Sequence, residues 1–143
     1  MKTMKKNISF LSLLIMGLFT VLIMSNESKA QDSDAPKFEY KAENNRIKLD
    51  TMYVDDMNTS VEMEIEFENK GEQPLILKNV NGCCGTRIKD WPKKPLQYGE
   101  TGTIKAVIRI APRPQRVSRT VTAISNDPDG RKILSIRGIV AKK

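Results

Sequence analysis

Histidine is absent from this 143-residue sequence, cysteine occurs twice, tryptophan once, and aromatic residues make up only 6%. The side chain that most often carries general acid and base work near neutral pH is therefore missing. Any histidine-bearing zinc site goes with it, and two cysteines alone cannot close a four-ligand one. There is no nucleophile elbow, no phosphate-cradling glycine loop and no zinc-ligand spacing. Helical patterning is missing too, since no window holds an amphipathic helix of useful length. These gaps argue against an enzyme, with no catalytic residue, cofactor or metal ligand to assign.

One long apolar run is present, at the start. Lys2, Lys5 and Lys6 precede an apolar stretch from Ile8 to Met24, which leads into "SNESKA" with small residues at Ser28 and Ala30. That order predicts a signal peptide over residues 1–30, cleaved after Ala30, and an exported protein of the periplasm, cell envelope or extracellular space. At 17 residues the run is near the lower limit for crossing a bilayer, so an uncleaved membrane anchor is the rival reading. No cysteine stands near the cleavage point, which argues against a lipid-anchored lipoprotein. Without residues 1–30, 20 Lys+Arg face 16 Asp+Glu, and the net charge of +7 falls to +4. Export and this modest charge speak against nucleic acid. The expected partner is another envelope protein or a glycan.

Residues 31–36, "QDSDAP", read as a disordered leader, and residues 37–143 as one domain. Its clearest signal is "VEMEIEFE", 61–68, where Val61, Met63, Ile65 and Phe67 alternate with Glu62, Glu64, Glu66 and Glu68. Period two predicts a strand with one buried and one wet face. "PLILKNV", 74–80, reads as the next strand, with Pro74 at its first position. "TIKAVIRI", 103–110, turns Ile104, Ala106, Ile108 and Ile110 inward, and "VSRTVTAIS", 117–125, and "RKILSIRGIV", 131–140, complete the series. The phase of 117–125 is ambiguous, because burying Val117, Val121 and Ala123 also turns Arg119 inward. "KFEYK" and "RIKLDTMYV" are weaker strand candidates, whereas the prolines and glycines of "DWPKKPLQYGETG", 90–102, forbid long regular structure. Short strands with regular turn signals predict an all-β, antiparallel immunoglobulin-like β-sandwich of about seven strands.

The succession "FENKGEQPLILKNV", a glycine-flanked cysteine pair, a tryptophan, "PLQYGETGTIKAVI", "VSRTVTAISNDP" and "LSIRGIV" resembles the bacterial domain of unknown function 1573 over roughly residues 61–140. The resemblance implies an immunoglobulin-like sandwich of hydin type, exported, without an established activity. It implies structural roles for Asn69 and Gly71, Pro74 and Leu75, Gly99, Glu100 and Gly102, and Ser125 to Pro128. It supplies no catalytic residue. The family's cysteines are usually one residue apart, as Ser-Cys-Gly-Cys-Thr, whereas this chain reads Gly82, Cys83, Cys84, Gly85, Thr86. The family role therefore transfers to Cys83 more readily than to Cys84.

Adjacent Cα atoms lie about 3.8 Å apart across a trans peptide, below the usual disulfide minimum of about 4.4 Å. A Cys83–Cys84 bridge would be strained, hence easily reduced and poor as a staple. Three other fates remain open: a soft-metal dithiolate, mixed disulfides favoured by a thiol activated by Arg87 and Lys89, or thiols packed beneath the loop of Trp91. Cys83, Cys84 and Trp91 are the candidate redox or ligand loop. Trp91 reads first as a cover for the end of the core and second as a binding platform.

Two charged groups complete the inventory. The glutamate row reads as a solvated face relieved by Lys105 and Arg109 on a neighbouring strand. Arg109, Arg113, Arg116 and Arg119 gather around "APRPQR", as a basic tip for anionic polymers or as plain surface. The leading expectation is a non-catalytic binding or scaffolding module of the cell envelope. The alternative is a thiol-based redox or soft-metal module at the cysteine pair.

Overall fold

The glutamate-striped stretch becomes one of the two central strands of a sheet. In chain order the computed structural model, which describes residues 34–55 and 59–143, has β1 (Phe38–Tyr40), a short helical turn at Glu43–Asn45, β2 (Arg46–Lys48), β3 (Met52–Tyr53), β4 (Ser60–Asn69), β5 (Leu77–Gly82), β6 (Thr86–Asp90), β7 (Thr101–Arg109), β8 (Gln115–Ser125) and β9 (Arg131–Ala141). One sheet runs β1-β4-β7-β6; the other runs β2-β9-β8-β5, with β3 also on β9. The signal-peptide and anchor readings of residues 1–30, and most of the 31–36 leader, lie outside the described residues.

The all-β, sandwich-like expectation holds, with two differences. Nine strands are present among the described residues, because "RIKLDTMYV" yields the two short strands β2 and β3 and because β6 forms after the cysteine pair, where no strand was expected. Both pair parallel to β9, so the arrangement is not wholly antiparallel. The other named pairs are antiparallel.

Alternation decides which face is buried. Ile65 and Phe67 of β4 pack with Ile104, Ala106 and Ile108 of β7, against Val117, Val121, Ala123, Leu134 and Ile136 from the opposing sheet. Phe38 stacks on Phe67 with ring centroids 4.5 Å apart. Gly102 sits opposite Phe67, and a Cβ there would lie 2.4 Å from the Phe67 ring, so the aromatic fits only over a glycine. Burying each large side chain contributes about 1.5–3 kcal/mol, which is why period-two stretches dominate the fold.

The glutamates face solvent, as the alternation predicts. Glu64 lies opposite Lys105, with which it forms an ion pair at 3.7 Å, but Arg109 faces Ser60 and pairs with none of them. Glu66 and Glu68 instead meet Lys41 at 3.8 Å and Lys70 at 2.8 Å. The strand expected from Pro74 begins at Leu77. Asn126 takes up the intervening backbone, its Oδ1 accepting from Ile76 N–H at 2.8 Å and its Nδ2 donating to the Pro74 carbonyl at 3.0 Å.

Candidate functional site

β5 belongs to one sheet and β6 to the other, so the chain between them must cross from sheet to sheet in three residues, Cys83 to Gly85. Cys84 has φ +53 and Gly85 φ +86, the positive pair that marks a tight primed turn, and Thr86 N–H closes it onto the Cys83 carbonyl at 3.0 Å. Glycine accepts such a φ freely, whereas a cysteine there costs about 1–3 kcal/mol. Gly82 answers a different demand: a Cβ on it would lie 2.5 Å from the Thr86 carbonyl oxygen.

The turn is tied to both sheets. Cys83 N–H donates to the Thr120 carbonyl of β8 at 3.0 Å, and Arg109 N–H of β7 donates to the Gly85 carbonyl at 2.9 Å. Thr120 then donates twice to Cys83 Sγ, from its backbone N–H at 3.2 Å and from its hydroxyl at 3.1 Å. Donors aimed at a sulfur stabilise its ionised form. The Thr120 hydroxyl above all holds the Cys83 thiol below its usual range; burial opposes this, while the Cys84 thiol, Thr120 N–H and the Arg119 charge assist. Cys84 is pushed the other way, because its thiol donates to Cys83 and loss of its proton would set two negative sulfurs side by side. Cys83 is half-buried and Cys84 exposed, and the two are not bridged.

The pair is therefore polarised, with an acceptor sulfur at Cys83 and a proton-bearing one at Cys84. The cation beside them is Arg119, not Arg87 or Lys89, because β6 carries those two on an exposed surface while β8 turns Arg119 toward the turn. This also resolves the phase of β8: Val117, Val121 and Ala123 are buried, and Arg119 shares their side.

Trp91 takes no part in the cluster. β6 separates it from the turn by five extended residues, roughly 16 Å of strand. The indole packs half-buried against the edge of the core with Lys93 Nζ over its ring, 2.7 Å from the centroid. The thiols lie against Thr120, not beneath the tryptophan loop.

Two polar atoms missed by sequence reasoning adjoin the turn. Thr86 Oγ1 and Arg119 Nε are buried without a hydrogen-bond partner, the only such side-chain atoms among the described residues. Each would ordinarily cost about 1–3 kcal/mol. Thr86 carries no sequence signal of its own, and Arg119 is visible in the sequence only through the phase of 117–125 and its place among the arginines. What brings them to the thiols is the contact between Thr120 and Cys83, 37 residues apart in the chain. Among the described residues no group of three or more cysteines and carboxylates could hold a metal ion.

A family model described as "Protein of unknown function (DUF1573)" matches residues 40–140. No curated protein matches the sequence. Among solved structures, the chain is similar to a protein of unknown function from Porphyromonas gingivalis W83, with a TM-score of 0.56 and 15% identity over 80% of this chain and 51% of that one. It is similar to the secreted serine protease VesC from Vibrio cholerae, with a TM-score of 0.55 and 12% identity over 75% of this chain and 23% of that one. A third likeness is to the ASH / PapD-like domain of human CEP192, with a TM-score of 0.52 and 9% identity over 77% of this chain and 89% of that one. At such identities the likeness concerns the fold. In the two bacterial proteins it covers only part of a longer chain.

Proposed function

The chain belongs to the DUF1573 family, described as a protein of unknown function, and on that premise we propose an interaction module that engages partners by thiol–disulfide exchange at Cys83. The observation that carries this reading is the double donation of Thr120 to Cys83 Sγ, at 3.2 and 3.1 Å. Two donors aimed at one sulfur favour its thiolate, the attacking form, over its thiol. Among the sequence-based expectations the plain scaffold stood first; this geometry favours the thiol reading, with the sandwich as its rigid support.

The chemistry follows from the polarised pair. Cys83 thiolate attacks one sulfur of a partner disulfide; the partner's S–S bond breaks, a mixed disulfide forms, and the departing sulfur takes a proton from solvent. Cys84, after giving its proton to solvent, attacks Cys83 Sγ and releases the second partner thiol. Two electrons pass from the dithiol to the partner disulfide. Cys84 resolves slowly because it holds its proton tightly, and the product bridge is strained, since neighbouring Cα atoms are only about 3.8 Å apart. The mixed disulfide is thus the long-lived species, and capture rather than turnover is the proposed role. A soft ion would find two sulfurs here and need further ligands from outside the chain. The proposed setting is the exported one that residues 1–30 predict, where disulfide partners persist.

Timed alkylation with iodoacetamide, read by mass spectrometry on folded protein, tests the reading. Cys83 is expected to react several-fold faster than Cys84 near neutral pH, and Cys84→Ser is expected to accumulate a mixed disulfide when given a small disulfide. Equal reactivity of the two thiols, matching that of the unfolded chain, would sink it.

A further inference from the structure

At the end of the sandwich where β4 begins and β7 ends lies an open groove of about 440 Å³. The thiol turn does not line it but adjoins it through Arg109, whose N–H holds the Gly85 carbonyl. Arg109, Arg113 and Arg119 line the groove together with Thr59, Ser60 and Gln115, and no aspartate or glutamate is among its lining residues. None of the three arginines forms an ion pair with a carboxylate among the described residues, although ion pairs occupy Lys41, Lys70, Lys105 and Lys132 elsewhere on the surface.

The groove and the thiols share structure. Arg109 supplies the N–H that holds the Gly85 carbonyl, and Arg119 stands one residue before Thr120, the double donor to Cys83. Arg119 spends Nη1 on the Ser118 carbonyl at 3.0 Å, while its buried Nε has no partner. Glu62 lines the adjoining hollow with Arg109 and Gly85, but it forms no ion pair with Arg109. Three guanidiniums outside any ion pair, with Arg119 next in sequence to the donor that holds Cys83, make a recognition surface for anions.

We propose that this groove selects the disulfide that Cys83 attacks, and that the selected class is a disulfide flanked by carboxylates. The inference rests on the reading of Cys83 as the attacking sulfur and adds the substrate's charge to it. Arg113 and its neighbours hold the carboxylates of the incoming chain while one sulfur of its disulfide meets Cys83; the exchange itself is unchanged. Charge of one sign in a concave site also raises encounter rates, more so at low salt.

The test is single-turnover reaction of the reduced full chain with three small disulfides: dianionic dithionitrobenzoate, neutral dithiodipyridine and cationic cystamine. Each rate is divided by that of a free cysteine peptide, which removes the reagents' intrinsic reactivity. The normalised rate with the dianion is expected to exceed that with the neutral reagent by roughly tenfold at low salt and to converge on it at high salt. Arg113→Gln, which leaves the arginine beside Thr120 in place, is expected to lower the dianion-to-neutral ratio several-fold, whereas Lys94→Gln, outside the groove, leaves the ratio unchanged.

Two further substrates separate the sources of such a ligand. Oxidised glutathione stands for a small anionic disulfide; a disulfide-linked peptide with glutamates flanking its cysteine stands for an acidic polypeptide, with a lysine-flanked peptide as control. Preference for either acidic substrate supports the groove, and the larger preference names the source. A Cys83-dependent reaction with no preference for negative charge overturns the groove proposal and leaves the thiol reading standing. A reaction with the neutral reagent that is as fast in Cys83→Ser as in the native protein overturns both.

Discussion

The two ends of the sandwich treat buried polar atoms in opposite ways. At the end where β4 finishes, Asn69 is fully buried and satisfied: Nδ2 donates to the Gln73 and Leu96 carbonyls, and Oδ1 accepts from Lys37 and Gly71 N–H. Asp127 beside it accepts from Phe38 and Asp129 N–H and meets Lys132 Nζ at 3.3 Å. At the end where β4 begins, Thr86 and Arg119 leave buried atoms unpaired next to a cysteine in a left-handed conformation. Satisfied polar groups hold a fold in one arrangement, whereas strained and unsatisfied ones gather where a structure is kept for a task. The difference separates an end whose polar groups are satisfied from the end that carries the proposed site.

The comparison breaks most directly at the scaffold end. Asn69→Ala removes four hydrogen bonds and orphans their backbone partners, so a loss of about 3 kcal/mol is expected in denaturant unfolding, with the alkylation rate of Cys83 unchanged. Gly102→Ala drives a methyl into Phe67 and is expected to cost about 2 kcal/mol by the same measurement, again without touching thiol reactivity. At the site end the sign reverses: Cys84→Gly relieves the positive φ and is expected to raise stability by about 1 kcal/mol while abolishing resolution of mixed disulfides.

Thr120→Val sharpens the contrast by changing one hydrogen bond. Cys83 loses the donor that most favours its thiolate, so the pH profile of its alkylation moves upward and the rate near neutrality falls roughly threefold. The sign for stability agrees: a lowered folded-state thiol value contributes stability above the ordinary thiol range, and that contribution disappears as pH falls through the folded value. The native-minus-variant difference therefore grows with rising pH. Least of all, reversing both charges of Glu64 and Lys105 is expected to shift stability by no more than about 0.5 kcal/mol, because the pair is solvent-exposed.

The legibility of the sequence follows the same division. β4, β7, β8 and β9 are readable because burial of one face writes a period of two into residues such as Val61 to Glu68. β6 is not, since five residues between a glycine turn and a proline loop are too few to establish a period, and only Thr86 among them is buried. The parallel pairing of β2 and β3 with β9 depends on where distant segments meet, which local pattern does not encode. Cys83 and Cys84 are conspicuous as the two cysteines, but their polarisation comes from Thr120 and Arg119, a strand away and ordinary in composition. Trp91 is conspicuous for rarity alone, and the structure gives it an edge-packing place.

The turn from Cys83 to Thr86 also has a mechanical consequence. A partner held covalently at Cys83 would pull on a segment anchored to β8 through Thr120 and to β7 through Arg109, one strand in each sheet. Tension on the tether would be divided between the two sheets, and the core between them would resist it as a unit, where an attachment on an edge strand such as β1 could be peeled away one hydrogen bond at a time.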